Sequence, residues 1–402
     1  MTDFSPFSTL QNKANHIAIV THFYGSHGGG IELVAERLIR EMETDPTLQF
    51  AWIASDTDPA PKINGNTTLP MRCWNFCEKA LGIPWPIWGW RSLKRMHSTI
   101  AQADAVWLHD TLYFGNILAY ACAKKLRKPV MITQHIAPVP YCNPMLRGAM
   151  KIADKLFSSR MLLGADEVIF ISDRVAEDYY RRLAFKRPIK VIPNGVDIRT
   201  FHLPMAETRR YLRQQFALKN EQIVFLFVGR FVERKGLDVL RRLAKLMPEC
   251  RFWLAGKGPI KPEKWHLPNV HVFRGRKGEA LADLYKSADL LLIPSYGEGF
   301  PLVIQEAMAC GLPVLCGPET ARGNAMATPF LQIADVWPDN PERTAAVWHK
   351  KLKTFPIPLP IIRPSESMAE FALTTWDWPP IARVYAGLLK DMAANGKAEI
   401  KS

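Results

Sequence analysis

Two consecutive series of short apolar, β-branched runs, each run followed by an amphipathic stretch, constrain this chain more than any single motif. Such alternation argues for parallel sheets wound by crossover helices. In the first half the strand candidates are 16–20, 50–54, 105–108, 130–133, 167–171 and 189–192. The second half restarts the series with 223–228, 251–255, 270–273, 290–293 and 314–316. A polar, helix-prone stretch at 206–220 separates the two sets, which puts a domain boundary near residue 200. At 402 residues the chain exceeds the size at which one core usually stops growing, so two α/β domains are expected. From Pro356 to Pro364 the run PIPLPIIRP holds too much proline for a helix and reads as an extended connector.

Composition narrows the surroundings. No apolar run reaches the roughly 18 residues of a spanning helix, and the start, MTDFSPFSTLQNKANH, lacks the basic and apolar regions of a secretory signal. Seven cysteines, at 73, 77, 122, 142, 250, 310 and 316, are odd in number and lack zinc-site spacing, so free thiols and cytoplasmic residence are expected. The net charge of +14 points to an anionic partner. From Trp74 to Arg160 there are twelve basic residues against four acidic ones, so the excess is concentrated there.

The run Val224-Phe-Leu-Phe-Val-Gly-Arg230 is a buried-strand pattern ending in a glycine turn, followed by Lys235-Gly236 and a helical pattern. Ligands of open α/β sheets lie beyond the carboxyl ends of the strands. Arg230 and Lys235 stand there, either as solvated loop charges or as cations that neutralise a diphosphate leaving group. Further on, a strand ends at Pro294, and Glu298-Gly-Phe-Pro-Leu-Val-Ile-Gln-Glu306 leads into a helix that Gly311 and Pro313 close. Pro301 suits the first helical position. Backbone N–H groups around Gly299, Phe300 and Leu302 are then available for hydroxyls or phosphate oxygens. Glu306, about a turn and a half into the helix, suits a ribose diol when ionised; as a lone residue it reads equally as an exposed helix glutamate.

Taken together, these motifs resemble the retaining glycosyltransferases of family 4, glycosyl transferases group 1, whose donor motif is a glutamate, seven residues and a second glutamate. The resemblance continues through Gly229-Arg230 with Lys235-Gly236, through Leu254-Ala-Gly256-Lys-Gly258-Pro, and through Val191-Ile-Pro-Asn194-Gly195-Val-Asp197. It implies an α/β GT-B fold, two Rossmann-like domains facing each other across a cleft. On that pattern residues 1–200 form the acceptor domain, 201–377 the donor domain, and 378–402 a helix, starting at Trp378, that crosses back onto the first domain. It further implies that Arg230 and Lys235 bind the donor diphosphate, Glu298, Gly299 and Phe300 the donor sugar, and Glu306 the ribose, with Gly256 and Gly258 also at the donor. The donor would be a nucleotide diphosphate sugar, with no cofactor and no metal. Catalytic weight falls on His135, Glu298, Arg230 and Lys235.

On the acceptor side, Tyr24-Gly25-Ser-His-Gly28-Gly29-Gly30 follows a strand and opens an amphipathic helix, so Gly29 and Gly30 let backbone approach a ligand. A flexible turn would look the same. In family 4 the corresponding loop lies beneath the donor phosphates and near the acceptor. His109, with Asp110, and His135 both follow apolar strands. His135 resembles the family histidine that contacts the donor sugar, while His109 and Asp110 are candidates for acceptor orientation or proton removal.

Asp56-Thr-Asp58 resembles a metal-binding triplet of another glycosyltransferase fold, but Pro59 and Pro61 follow it and the second α/β half would go unexplained. Residues 74–95 gather Trp74, Trp85, Trp88 and Trp90 beside Arg91, Lys94 and Arg95, as an anchor to an anionic membrane surface would. Nucleic acid would also explain the charge, yet no motif supports it. The expected acceptor is a lipid-linked or cell-envelope glycan, as in lipopolysaccharide or polysaccharide synthesis. After Gly317-Pro-Glu319-Thr the family pattern lapses until the last helix. A GT-B epimerase or phosphorylase, or a non-catalytic partner that keeps the fold, are the competing readings.

Overall fold

The computed structural model describes residues 6–7, 14–75, 86–137, 144–219, 221–354 and 365–401. The connector at 356–364, Cys77, Cys142 and Trp85 lie outside the described residues. The chain divides into two compact units, one of residues 1–194 with 378–402 and one of 195–377.

In the first unit seven strands form a parallel sheet: β1 (Asn15–Val20), β2 (Leu48–Ser55), β3 (Thr67–Met71), β6 (Ala105–His109), β7 (Val130–Gln134), β8 (Glu167–Phe170) and β9 (Lys190–Val191). Their order is β3-β2-β1-β6-β7-β8-β9. The chain winds one way from β1 to β3 and the other way from β6 onward, so the order reverses between β1 and β6. Two short strands, β4 (Cys73–Trp74) and β5 (Ile87–Trp88), pair antiparallel beside it. Both faces of the sheet are covered, which is why its central strands read as continuous apolar runs. Two tryptophans in them keep their indole N–H satisfied inside the core: Trp52 donates to Thr21 and Trp107 to Thr133, each at 2.9 Å. The C-terminal helix Trp378–Lys401 belongs to this unit. It stacks Tyr385 near Trp107 and ties Lys390 to Asp45 at 2.6 Å.

The second unit repeats the plan with β10 (Val224–Val228), β11 (Arg251–Ala255), β12 (Val270–Phe273), β13 (Leu290–Ile293), β14 (Val314–Cys316) and β15 (Gln332–Ile333), all parallel, in the order β12-β11-β10-β13-β14-β15. Here the order reverses between β10 and β13. The polar stretch after residue 205 forms the helix Ala206–Gln215, fixed from its charged side. Buried Asp289 accepts from Arg209 at 2.6 Å, Arg213 at 3.2 Å and the backbone N–H of Val224 at 2.8 Å. A buried carboxylate is tolerable there because three donors replace its water.

Sequence periodicity located the eleven strand candidates within a residue or two, and missed β3, β15 and the two-residue strands β4 and β5. β3 carries Pro70, which lowers strand propensity; it sits on the sheet edge, where a missing N–H leaves no ladder bond unmade. Among the described residues no helix is long and apolar enough to cross a membrane.

Candidate functional site

Each unit gathers polar side chains at the point where its strand order reverses, the place where open α/β sheets hold ligands. In the second unit three loops meet beyond the carboxyl ends of β10, β11 and β13. Backbone hydrogen bonds stitch them together: Gly229 N–H to Ala255 at 3.0 Å, Phe231 N–H to Lys257 at 2.8 Å, Tyr296 N–H to Arg234 at 3.1 Å. Gly256 and Gly258 serve this stitching. A Cβ on Gly256 would stand 1.9 Å from the Gly229 carbonyl oxygen, and one on Gly258 would stand 2.4 Å from that of Phe231. Close backbone approach therefore requires glycine at both positions and shapes the loop.

Lys235 and Glu298, which the family pattern gives to different parts of a donor, are paired with each other. Lys235 Nζ is 2.8 Å from Glu298 Oε1, and Arg234 is 3.6 Å from the same oxygen. Burial lowers the Lys235 pKa, against the opposing pull of Glu298. Burial also works against the Glu298 charge, but Lys235 and Arg234 more than offset it and hold that carboxyl below its ordinary range. Arg230 is exposed at the end of the same loop.

The helix after Glu298 runs Leu302–Ala309. Pro301 is extended at ψ 135° and precedes the helix as its cap residue, one position earlier than expected, and Gly311 closes the far end at φ 69°. The Phe300 ring is 3% exposed and packs against Trp376, because the residue opens the apolar run that enters the core, so only its backbone faces the loop. Glu306 accepts a hydrogen bond from Tyr285 Oη at 2.7 Å, and burial pushes its pKa up to about 7. Tyr285, wholly buried in the helix Glu279–Ser287, escaped the sequence reading. Its only clue was a tyrosine on the inner stripe of an amphipathic helix.

In the first unit the reversal point collects a second cluster. His109 ends β6 and His135 follows β7; Nδ1 of His109 and Nε2 of His135 are 2.9 Å apart. Burial lowers both, His135 to about 3 and His109 well below its usual value, so both rings are neutral near pH 7. His109 is fully buried and supports the ring of His135 through this contact. Asp110 sits in a left-handed backbone conformation at φ 66°, sparsely populated for a residue with a Cβ. Its carboxyl accepts the His135 backbone N–H at 2.8 Å, and burial pushes its pKa to about 7. Asn116 braces this turn by donating to the carbonyls of His109 at 2.6 Å and Asp110 at 2.8 Å.

The glycine loop holds a feature the sequence did not announce. Gly29 precedes the helix Gly30–Met42, and the carboxylate of Glu32 folds back over it: a Cβ on Gly29 would lie 2.2 Å from Glu32 Oε2. His22 Nε2 is 2.8 Å from Glu32 Oε1, and the His22 ring stacks on Tyr113 at 3.7 Å. Burial raises the Glu32 pKa, but His22 and the residue's own backbone N–H bring it below the ordinary value. The helix start expected to receive phosphate thus already carries a carboxylate, while Gly30 is exposed with open space beside it.

Of the aromatic segment at 74–95, Trp74 is 76% and Trp90 62% exposed, with Lys94 over the Trp90 ring at 4.1 Å. Trp88 is the exception to the anchor reading: it is buried against Gly115, whose missing Cβ makes room for the indole. In the Asp56-Thr-Asp58 triplet, Asp58 pairs with His27 at 2.7 Å and Asp56 accepts from the Cys73 N–H at 3.2 Å. Among the described residues no three His, Cys, Asp or Glu side chains gather as a metal site.

Comparison with known proteins agrees with this geometry. Residues 28–200 match the family model described as Glycosyltransferase Family 4, and residues 208–324 match that described as Glycosyl transferases group 1. A D-inositol 3-phosphate glycosyltransferase of Xylanimonas cellulosilytica is 34% identical over 177 residues, 38% of this chain and 42% of that protein. The chain thus spans less than half the length of this relative. Sucrose-phosphate synthase from Thermosynechococcus elongatus superposes with a TM-score of 0.74 at 18% identity, covering 95% of this chain and 100% of that one. Anabaena HepE, in complex with UDP-glucose, gives a TM-score of 0.67 at 18% identity, over 94% and 99% of the two chains. Two family models in series, and two parallel-sheet units of Rossmann type, make this chain a family 4, group 1 glycosyltransferase with the GT-B fold.

Proposed function

We propose that the chain is a metal-independent, retaining glycosyltransferase that moves a sugar from a nucleotide diphosphate sugar to a lipid-linked or cell-envelope glycan. The observation that carries this reading is the Lys235–Glu298 pair at 2.8 Å, with Arg230 beside it and Glu306 on the next helix, all at one strand-order reversal. In this reading Arg230 and Lys235 take the diphosphate and stabilise it as it leaves. Glu298 positions a sugar hydroxyl, and Glu306 holds the ribose. Gly299 and Phe300 contribute backbone N–H groups. His135, neutral and braced by His109 and Asp110, offers a hydrogen bond to the donor sugar. The leaving diphosphate takes the acceptor proton on the same face, because both histidines are poor bases where they stand.

A UDP-linked sugar is the first donor to test, since the Anabaena fold neighbour is described with UDP-glucose. For the acceptor, the relative named for D-inositol 3-phosphate offers a free polyol as one precedent. Exposed Trp74 and Trp90 beside Lys94 favour an acceptor held at an anionic membrane, on the inner face of the cytoplasmic membrane. The decisive experiment pairs donor binding with transfer for Glu306→Ala and Lys235→Ala, and follows the product anomer by NMR. Unchanged activity in both variants sinks the site, and an inverted anomer sinks retention.

A further inference from the structure

The helical run from Pro144 to Gly164 plays no part in the site. It comprises the helix Pro144–Ala153, a π-helical turn Asp154–Ser158 and the helix Ser159–Gly164. Its inner side is fixed to the first unit. Met161 and Leu162 are buried, Ser158 accepts from Thr111 at 2.8 Å, and Asp154 accepts from Tyr179 at 3.2 Å and pairs with Arg182. Its outer side leaves Met145 80%, Ile152 61%, Leu156 42%, Phe157 41% and Leu163 43% exposed.

Scattered single apolar side chains need no explanation, but five along one short run do. Lys151, Lys155 and Arg160 are exposed among them. Asp154 is the sole acidic residue between 144 and 164, and it faces inward to Arg182, so the outer side carries positive charge only. The neighbouring helix Phe114–Lys125 touches this run through Tyr120, whose hydroxyl reaches the Arg160 carbonyl at 3.5 Å. It touches Trp88 through Gly115 at its other end. The run and the exposed Trp74–Trp90 patch are therefore linked across one layer of helices on the first unit.

We infer that the outer side of 144–164 is a docking surface for an anionic lipid bilayer, lying in the headgroup plane with Ile152, Leu156 and Phe157 dipping below it. An aliphatic face bordered by lysine and arginine is the composition of an in-plane interfacial helix. Protein interfaces deplete lysine, and Lys151 and Lys155 stand within this surface, so a protein partner fits it less well. The inference does not depend on the donor assignment, because lipid binding requires no nucleotide.

The test is co-sedimentation of the full chain with phosphatidylglycerol-containing vesicles and with pure phosphatidylcholine vesicles. Three variants are compared: Ile152→Glu/Leu156→Glu, Lys151→Ala/Lys155→Ala, and Trp74→Ala/Trp90→Ala. All altered residues are exposed, and far-UV circular dichroism checks the fold. The wild type binds the anionic vesicles and is released by about 0.5 M salt. The first variant loses more than about tenfold in affinity. The second loses about fivefold per cation removed and much of the salt dependence. The tryptophan variant separates the two surfaces, since its loss alone, with the first variant unchanged, overturns the role of 144–164. Wild-type failure to bind anionic vesicles also overturns it. So does a dimer without lipid that Ile152→Glu/Leu156→Glu turns to monomer in light scattering, which would assign the surface to a second copy.

Discussion

Lys235 Nζ lies 2.8 Å from Glu298 Oε1, joining the cation expected at the diphosphate to the carboxylate expected at the sugar. Both side chains are largely out of water, at 16% and 12% exposure. Removing one partner leaves the other charge uncompensated, and that is costlier than replacing both. Lys235→Met should therefore lower stability by roughly 2–4 kcal/mol, and Lys235→Met/Glu298→Gln by clearly less. Thermal melts of the four proteins in the cycle measure this, and a strictly additive double variant would refute the coupling.

Glu306 predicts a pH dependence of stability. Its folded pKa, about 7, is raised above the usual value near 4.5, so its favourable contribution is complete below about pH 4.5 and fades as pH climbs through 7. Glu306→Gln removes that penalty. The variant should melt above the wild type at pH 8, by on the order of 2 kcal/mol once its partial exposure is allowed for, and match it at pH 5. The same change should weaken nucleotide binding if the carboxylate holds a ribose. Melting curves that stay parallel from pH 5 to 8 contradict the assignment.

Asp110 is expected to act through the backbone of His135. Asp110→Asn keeps an oxygen for the His135 N–H, bonded now at 2.8 Å, whereas Asp110→Ala leaves that buried donor unpaired at about 1–3 kcal/mol. Transfer should fall about tenfold or more in the alanine variant, with donor binding little changed, and recover substantially with asparagine. Equal loss in both would point to the charge of Asp110 instead of its hydrogen bond.

These residues show what the sequence could and could not disclose. Glu298, Glu306, Arg230 and Lys235 were legible because strand ends, glycine turns and the fixed spacing are local properties. The Lys235–Glu298 pairing was not, since 63 residues of chain and three strands separate the partners. The burial of Trp88 was hidden for a similar reason: its neighbour Gly115 lies 27 residues along the chain, and only packing shows that the ring is in a core. Tyr285 and the His22–Glu32 pair carried no motif at all, because a helix turn looks alike whether its polar residue meets water or a buried partner.

Glu32 stands in the first turn of the helix Gly30–Met42. Backbone N–H groups there attract an anion, and the Glu32 carboxylate already lies over Gly29, 2.8 Å from His22. Its folded pKa is lowered, so the stability it contributes is present above the usual glutamate range and is lost as pH falls through the folded value. Glu32→Gln keeps the shape and removes the charge. At pH 7 the variant should be less stable by about 1–2 kcal/mol, a difference that shrinks on acidification. With the internal anion gone, inorganic phosphate should raise the melting temperature of the variant more than that of the wild type. If phosphate raises both equally, Glu32 does not occupy the anion position, and the glycine loop remains open to a donor phosphate as the family pattern implies.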